Sequence, residues 1–187
     1  MGSLTEEQRS ILTGCLLGDG TLRRKRNTLL EINHSSKQKE YVFWLYSKFK
    51  EYVLTPPKIR VNGPNRTSYR FTTKSTSAFN DFYEDFYPGN KQKMLPRDLE
   101  LEPLSLAVWF MDDGSKSRNA LYLNTQQFNL EDQKYLISLL DNNFGIKSTF
   151  NRDKYYFRIR IRVSSIDKFR DLTSPYIIKS MEYKLPL

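Results

Sequence analysis

Apolar residues along this chain fall into blocks whose spacing alternates between helical and extended. The first block, Ile11 to Leu17, reads as a buried helix, and Thr5 followed three residues later by Gln8 forms a capping box that opens it. Gly20 suits the left-handed position that would close it. A strand pair follows, its second member including Leu30-Glu31-Ile32-Asn33-His34, then an apolar and aromatic helix from about Gln38 to Tyr52 that Pro56-Pro57 breaks. Lys58 to Val61 and Ser68 to Lys74 read as a hairpin around Asn62-Gly63-Pro64-Asn65, and a further helix runs from about Thr76 to Phe86. Beyond the Pro- and charge-rich stretch from Pro88 to Pro103 the order repeats: a helix starting near Pro103, a strand pair, a helix from Leu130 to Phe144, a strand pair, and a helix from Ser165 to Leu172. Each half is αββαββα. The pattern predicts an α+β protein of two pseudo-symmetric halves, residues 4–90 and 104–187, joined by a connector over 91–103.

More than element order relates the halves. The segment Leu12-Thr13-Gly14-Cys15-Leu16-Leu17-Gly18-Asp19-Gly20 aligns with Leu106-Ala107-Val108-Trp109-Phe110-Met111-Asp112-Asp113-Gly114, and both are apolar helices running into Asp-Gly. Asn33 lies 14 residues beyond Asp19, and Asn124 lies 11 beyond Asp113. Lys93-Met94-Leu95-Pro96 matches Lys184-Leu185-Pro186, at 74 and 71 residues from the two aspartates. One Asp-Gly alone is a common turn dipeptide. Two copies at matching helix C-termini, where the macrodipole disfavours a carboxylate, point instead to function. The small residues Gly14 and Ala107 would let the two helices pack closely about a pseudo-twofold axis and set Asp19 and Asp113 side by side. Adjacent carboxylates repel unless protonated or bridged by cations, and hard oxygen ligands favour Mg²⁺. Such a centre suits phosphodiester hydrolysis. Lys93 and Lys184 recur in register with the acids, each a candidate for stabilising charge or helping to activate water, although a surface lysine before Leu-Pro would look the same. His34 reads as a strand polar residue whose counterpart is Thr125.

Charge sharpens this picture. The net charge is +9 and the pI near 9.5, which favours a polyanionic partner over a small acidic metabolite. Arg158, Arg160 and Arg162 alternate strictly with apolar residues from Phe157 to Val163, which places them on one strand face. Arg70 and Lys74 share a side of the Ser68 to Lys74 strand, Lys58 and Arg60 lie on its neighbour, and Arg23, Arg24, Lys25 and Arg26 crowd the first strand pair. A single charge run is usually a solvated face, but recurrence in both halves suits a sheet lying along a major groove. One cysteine and one histidine exclude an internal disulfide and a four-ligand zinc site, so any metal must use oxygen ligands. No apolar run approaches the roughly 20 residues needed to cross a bilayer, and no secretory signal is visible, so the chain reads as soluble and intracellular, without a membrane partner.

On these residues the chain resembles the LAGLIDADG homing endonucleases, particularly the single-chain branch, whose second motif is much like Leu106 to Gly114. The resemblance extends through Leu121 to Gln127 and the terminal Tyr183-Lys184-Leu185-Pro186. It implies paired motif helices at the pseudo-dyad and antiparallel sheets forming a saddle for double-stranded DNA. Asp19 and Asp113 match the family's metal-binding acids, and Lys93 and Lys184 match basic residues around the cleavage centre. Gln126 falls where a polar residue orders water, with Ser35 as its rough counterpart, and the carbonyls of Gly18 and Asp112 would face the metals. Cys15 and Leu17 depart from the usual motif, as does Val108, which stands where a helix-packing glycine is common. The implied activity is cleavage of both strands across the minor groove of a long asymmetric site by a monomer, leaving 3′ overhangs. Two or three Mg²⁺ ions would serve, with Mn²⁺ substituting and Ca²⁺ binding without turnover. An organelle-encoded member would work in a mitochondrion or chloroplast. Two alternatives remain open on the same scaffold: a group I intron RNA maturase, and a non-catalytic DNA-binding regulator, in which one acid would be expected to be lost.

Overall fold

A computed structural model describes residues 3–64, 66–90 and 92–185, the side chain of Asn90 excepted; Asn65 and Pro186 of the motifs above lie outside the described residues. The opening helix α1 (Glu6–Leu17) begins with the expected capping box: Thr5 Oγ1 accepts from the Gln8 amide at 3.2 Å, and Gln8 Oε1 accepts from the Thr5 amide at 3.1 Å. Strands β1 (Thr21–Arg24) and β2 (Thr28–Ser35), helix α2 (Lys39–Lys48), strands β3 (Lys58–Val61) and β4 (Thr67–Thr72) and helix α3 (Asn80–Phe86) complete the first half. The second repeats the series as α4 (Pro103–Asp113), β5 (Gly114–Ser117), β6 (Ala120–Leu123), α5 (Leu130–Phe144), β7 (Ser148–Asp153), β8 (Tyr156–Ile161) and α6 (Ile166–Thr173). Both halves are αββαββα. Their sheets share one antiparallel topology, β1-β2-β4-β3 and β5-β6-β8-β7.

Helices α1 and α4 lie along each other at the centre, and Ile11, Leu12, Leu16, Leu106, Trp109 and Phe110 are wholly buried. Burying each such side chain contributes about 1.5–3 kcal/mol. The close approach expected of Gly14 and Ala107 is found at Gly14 and Val108: a Cβ on Gly14 would stand 2.6 Å from Val108 Cβ and 2.5 Å from the Ser105 carbonyl oxygen. One glycine suffices, because its missing side chain leaves room for the valine opposite. Each sheet turns its apolar side to its own helices: Leu22, Leu30, Ile32 and Phe71 lie with Tyr41, Val42 and Leu45 of α2, and Leu121, Leu123, Ile159 and Ile161 with Leu136 and Leu140 of α5. Leu95, Leu99 and Leu101 bury the connector into the same core. Among the described residues no helix is long and apolar enough to cross a membrane.

Several boundaries differ from the sequence pattern. Gly20 is not left-handed: α1 stops at Leu17, Gly18 caps it at φ −102° and ψ −136°, and the Gly20 amide returns to the Cys15 carbonyl at 2.8 Å. The left-handed stop belongs to Gly145, at φ 62° after α5. A 3₁₀ turn, Lys50–Tyr52, replaces the end of the helix expected to Tyr52, and another, Ser77–Phe79, precedes α3. Strand β4 ends at Thr72 and β8 at Ile161, so Lys74 and Arg162 stand outside the ladders. Beyond β8 the Arg162 amide bonds the Lys147 carbonyl at 2.9 Å and the chain coils into Val163–Ser165.

Candidate metal centre and nucleic-acid interface

The paired helices deliver both aspartates to one place. Asp113 is the last residue of α4, whereas Asp19 lies one residue beyond the cap of α1, with its side chain 58% exposed. Helix C-termini leave carbonyl groups without intrahelical donors and carry partial negative charge. A lysine answers this at each end. Lys93 Nζ donates to the carbonyls of Gly18 at 3.1 Å and Gly20 at 2.8 Å. Buried Lys184 donates to those of Met111 at 2.5 Å, Asp112 at 3.4 Å and Phe110 at 3.5 Å. The near-equal Asp-to-Lys spacing in the sequence therefore reflects two equivalent contacts. Burial lowers the pKa of both lysines, and the nearby carboxylates oppose that shift.

Negative charge accumulates between these lysines. Burial, then the charges of Asp19 and Asp112, push the Asp113 carboxyl up to about 7, against a hydrogen bond from Asn124 and the attraction of Lys184. Asp19 is also raised, by loss of water and by Asp112. Asp112 itself is held low. Burial works against its ionisation, but the charge of His34 and hydrogen bonds from Tyr41 and the Asp19 amide outweigh that. Its side chain has no exposure: Oδ2 accepts from the Asp19 amide at 2.7 Å, Oδ1 accepts from Tyr41 Oη at 2.9 Å, and Oδ1 lies 3.0 Å from His34 Nε2. His34 Nδ1 is 3.8 Å from Asp19 Oδ2. Burial lowers the His34 pKa, but Asp112 and Asp19 outweigh it and the net shift is upward, as befits the cationic partner of an ion pair.

The sheet faces turned away from the helices carry the basic residues. On the first sheet Arg70 stands opposite both Asn33 and Lys58, and Arg60 opposite Ser68, so these side chains share one face with Arg23. Arg23 and Arg70 both pair there with Glu31. A cleft lined by Asp19, Asn33, His34, Ser35, Arg66 and Ser68 leads from the acid to that face. On the second sheet Arg158 and Arg160 point the same way, opposite Asn151 and Thr149. The Arg158 guanidinium sits 3.9 Å from the Tyr122 ring centroid and donates to Asn151 Oδ1 at 3.2 Å. Arg26 is exposed in the β1–β2 turn. Arg24 is not on the shared face: it projects to the side of Leu22, where it pairs with Glu84 and lies over Tyr83 of α3.

A family model of the LAGLIDADG DNA endonuclease family matches residues 9–169. The chain belongs to that family. Cytochrome b mRNA maturase bI2 of Saccharomyces cerevisiae is 31% identical over 99% of this chain, which spans only 48% of that relative's length. Probable intron-encoded endonuclease 1 of Wickerhamomyces canadensis is 33% identical over 98% of this chain and 85% of its own. Among solved structures, the homing endonuclease I-WcaI bound to its DNA recognition sequence superposes with a TM-score of 0.92 at 30% identity, covering 100% of this chain and 89% of that one.

Within this LAGLIDADG protein the predicted site residues are only partly assembled. Asp19, Asp113, Lys93 and Lys184 converge at the helix ends. Gln126 does not reach them: its Nε2 donates to Asp153 Oδ2 on β7 at 2.9 Å. Its neighbour Gln127 comes instead, donating to the carbonyls of Leu17 at 3.0 Å and Gly18 at 3.2 Å. The Gly18 carbonyl, expected to face a metal, thus accepts from Lys93 and Gln127, and that of Asp112 accepts from Lys184. Sequence reasoning missed Gln127, Tyr41 and the Asp112 side chain. The one available signal for Asp112 was that the second motif reads Asp-Asp where the first reads Gly-Asp.

Proposed function

We propose that this chain is a site-specific double-strand DNA endonuclease in which Asp19 and Asp113 hold divalent cations, Mg²⁺ foremost, and each half serves one strand of a long asymmetric target, leaving 3′ overhangs. The observation that carries this is the convergence of the two acids at the ends of paired helices, with a lysine bonded behind each. Three carboxylates gathered there, one of them driven to a pKa of about 7, form an anionic site that a hard cation would relieve. Among the described residues no three His, Cys, Asp or Glu side chains form a metal cage. The remaining ligands would therefore be water and DNA phosphate oxygens, as an open site for phosphoryl chemistry requires. A bound cation supplies polarisation of the scissile phosphate and activation of water. The protein's own contributions are separate: Lys93 and Lys184 fix the helix ends and offset the added negative charge, while Arg23, Lys58, Arg60, Arg70, Arg158 and Arg160 hold the duplex over the acids. Two sites in one chain let a monomer cut both strands.

The likeness to a maturase favours one second activity, intron RNA binding, on the same scaffold. Incubating the purified chain with a randomised duplex library and Mg²⁺ or Mn²⁺, then sequencing cut ends, separates the two. Defined double-strand cuts are expected, lost in Asp19→Asn and Asp113→Asn while both variants still bind DNA in Ca²⁺. Undiminished cutting by either variant would overturn the assigned centre, and no cutting beside tight intron RNA binding would favour the maturase.

A further inference from the structure

We infer that the Asp112 carboxylate is a positioning residue for one active site alone: it reaches from α4 across the pseudo-dyad and fixes the backbone at Asp19, so the strand served by Asp19 depends on it and the other does not. This rests on the nuclease reading above.

Among the described residues, every hydrogen-bond and ion-pair partner of this carboxylate belongs to the first half. Oδ2 takes the Asp19 amide at 2.7 Å, and Oδ1 meets Tyr41 Oη at 2.9 Å and His34 Nε2 at 3.0 Å. Charge-assisted hydrogen bonds to a desolvated carboxylate are short and hold geometry firmly. Asp19 needs such a hold, because it stands past the end of α1, whereas Asp113 is still helical and its carbonyl accepts from the Asn124 amide of its own half at 3.1 Å. Gln127, also from the second half, grips the same α1 terminus through the Leu17 and Gly18 carbonyls.

No reciprocal brace occurs among the described residues. The position equivalent to Asp112 is Gly18, which has no side chain to send back. Thr125, the counterpart of His34, closes a neutral network inside the second half: its Oγ1 donates to Gln133 Oε1 at 3.0 Å, and Gln133 Nε2 donates to the carbonyls of Thr125, Phe128 and Phe157. Ser36, which answers Gln127, is bonded by Thr67 Oγ1 of its own sheet at 2.7 Å. The pseudo-symmetric centre is therefore built with one acid held by the opposite half and one acid held by its own helix.

The test follows each strand separately. A supercoiled plasmid carrying the target is cut by the full chain, and nicking of the two strands is timed, with Asp19→Asn identifying the strand tied to Asp19. Asp112→Ala is expected to slow that strand by about tenfold or more relative to the other, since small misplacements of reacting groups cost rate steeply. Asp112→Asn, isosteric and still able to accept from the Asp19 amide, should fold where alanine does not and give a smaller skew. In metal-free protein the Asp19 amide proton should resonate far downfield and move upfield in Asp112→Ala, a readout independent of cutting. Equal slowing of both strands, a skew toward the other strand, or an unmoved Asp19 amide would overturn the inference. Failure of the wild type to cut either strand would instead remove the nuclease reading, with the amide shift still reporting on the brace.

Discussion

Gly18 and Asp112 hold equivalent places in the two motifs, and the Asp112 side chain fills the space that a side chain on Gly18 would need: a Cβ there would stand 2.6 Å from both Cβ and Oδ2 of Asp112. The neighbour cannot swing away into water, because its carboxylate is tied to the Asp19 amide and Tyr41. Gly18→Ala is therefore expected to destabilise the fold by about 1–3 kcal/mol through overpacking, visible as a fall of roughly 2–4 °C in Tm per kcal/mol for a chain of this size. Calorimetry on the two proteins decides it. An unchanged Tm would mean that the helix ends separate without cost.

The two lysines should not be equivalent under mutation. Lys184 is buried and serves three carbonyls, while Lys93 is half-buried and serves two. Lys184→Met strands more desolvated acceptors than Lys93→Met, at about 1–3 kcal/mol for a buried acceptor left unsatisfied. Urea unfolding should show the larger loss at Lys184, and equal losses would count against carbonyl capping as its structural role.

Arg24 and Arg158 make opposite predictions despite their similar sequence settings. Arg158 faces outward on β8 with Tyr122 and Asn151, so Arg158→Ala should weaken DNA binding and reduce the salt slope of log K by about one phosphate contact. Arg24 is engaged with Glu84 and Tyr83 of α3, so Arg24→Ala should leave the salt slope unchanged. Titration with labelled duplex at several salt concentrations checks both, and a slope change at Arg24 would place it on the DNA face after all.

That contrast also shows how far the sequence could be read. The repeat displayed both acids, both lysines and the element order, because motif spacing and hydrophobic periodicity survive in one dimension. It also contained the means to split Arg23 from Arg24, since a strand turns successive residues to opposite faces. Reading the basic cluster as one patch ignored that period. Alternation running to Val163 places Arg162 on the strand face, yet pairing ends at Ile161 and the chain turns into the 3₁₀ helix Val163–Ser165. The Asp112 brace was hidden for a different reason. Its partners Asp19, His34 and Tyr41 lie 71 to 93 residues away in the other half, and alignment of the motifs offers only a glycine as its equivalent. Gly14 and Val108 were likewise legible as motif positions, but their mutual contact depends on how two helices face each other.

Stability should depend on pH in a direction that the site fixes. In the folded protein Asp113, facing Asp19, Asp112, Asn124 and Lys184, keeps its proton up to about pH 7, whereas the unfolded chain releases it near 3.8, the ordinary value for an aspartate. Between those values the native state binds more protons, so stability falls as pH rises. His34 acts in the same sense. Its pKa is raised above 6.5 by Asp112 and Asp19 against the effect of burial, so the stability of its ion pair is fully present below 6.5 and lost as pH climbs through the folded value. Asp112, held low, matters only in acid, below 3.8. Lys93 and Lys184, with lowered pKa values, work oppositely at the alkaline end. In chelator, calorimetric Tm is thus expected to fall between about pH 5 and 7, as Asp113 would lose its proton if unfolded but keeps it when folded. Ca²⁺ should flatten that decline, because a cation replaces the proton on Asp113 and binds more tightly as the carboxyl ionises. Asp113→Asn should make the decline shallower without Ca²⁺, leaving the part that His34 contributes. A Tm in chelator that rises across this range would contradict the charge arrangement at the helix ends.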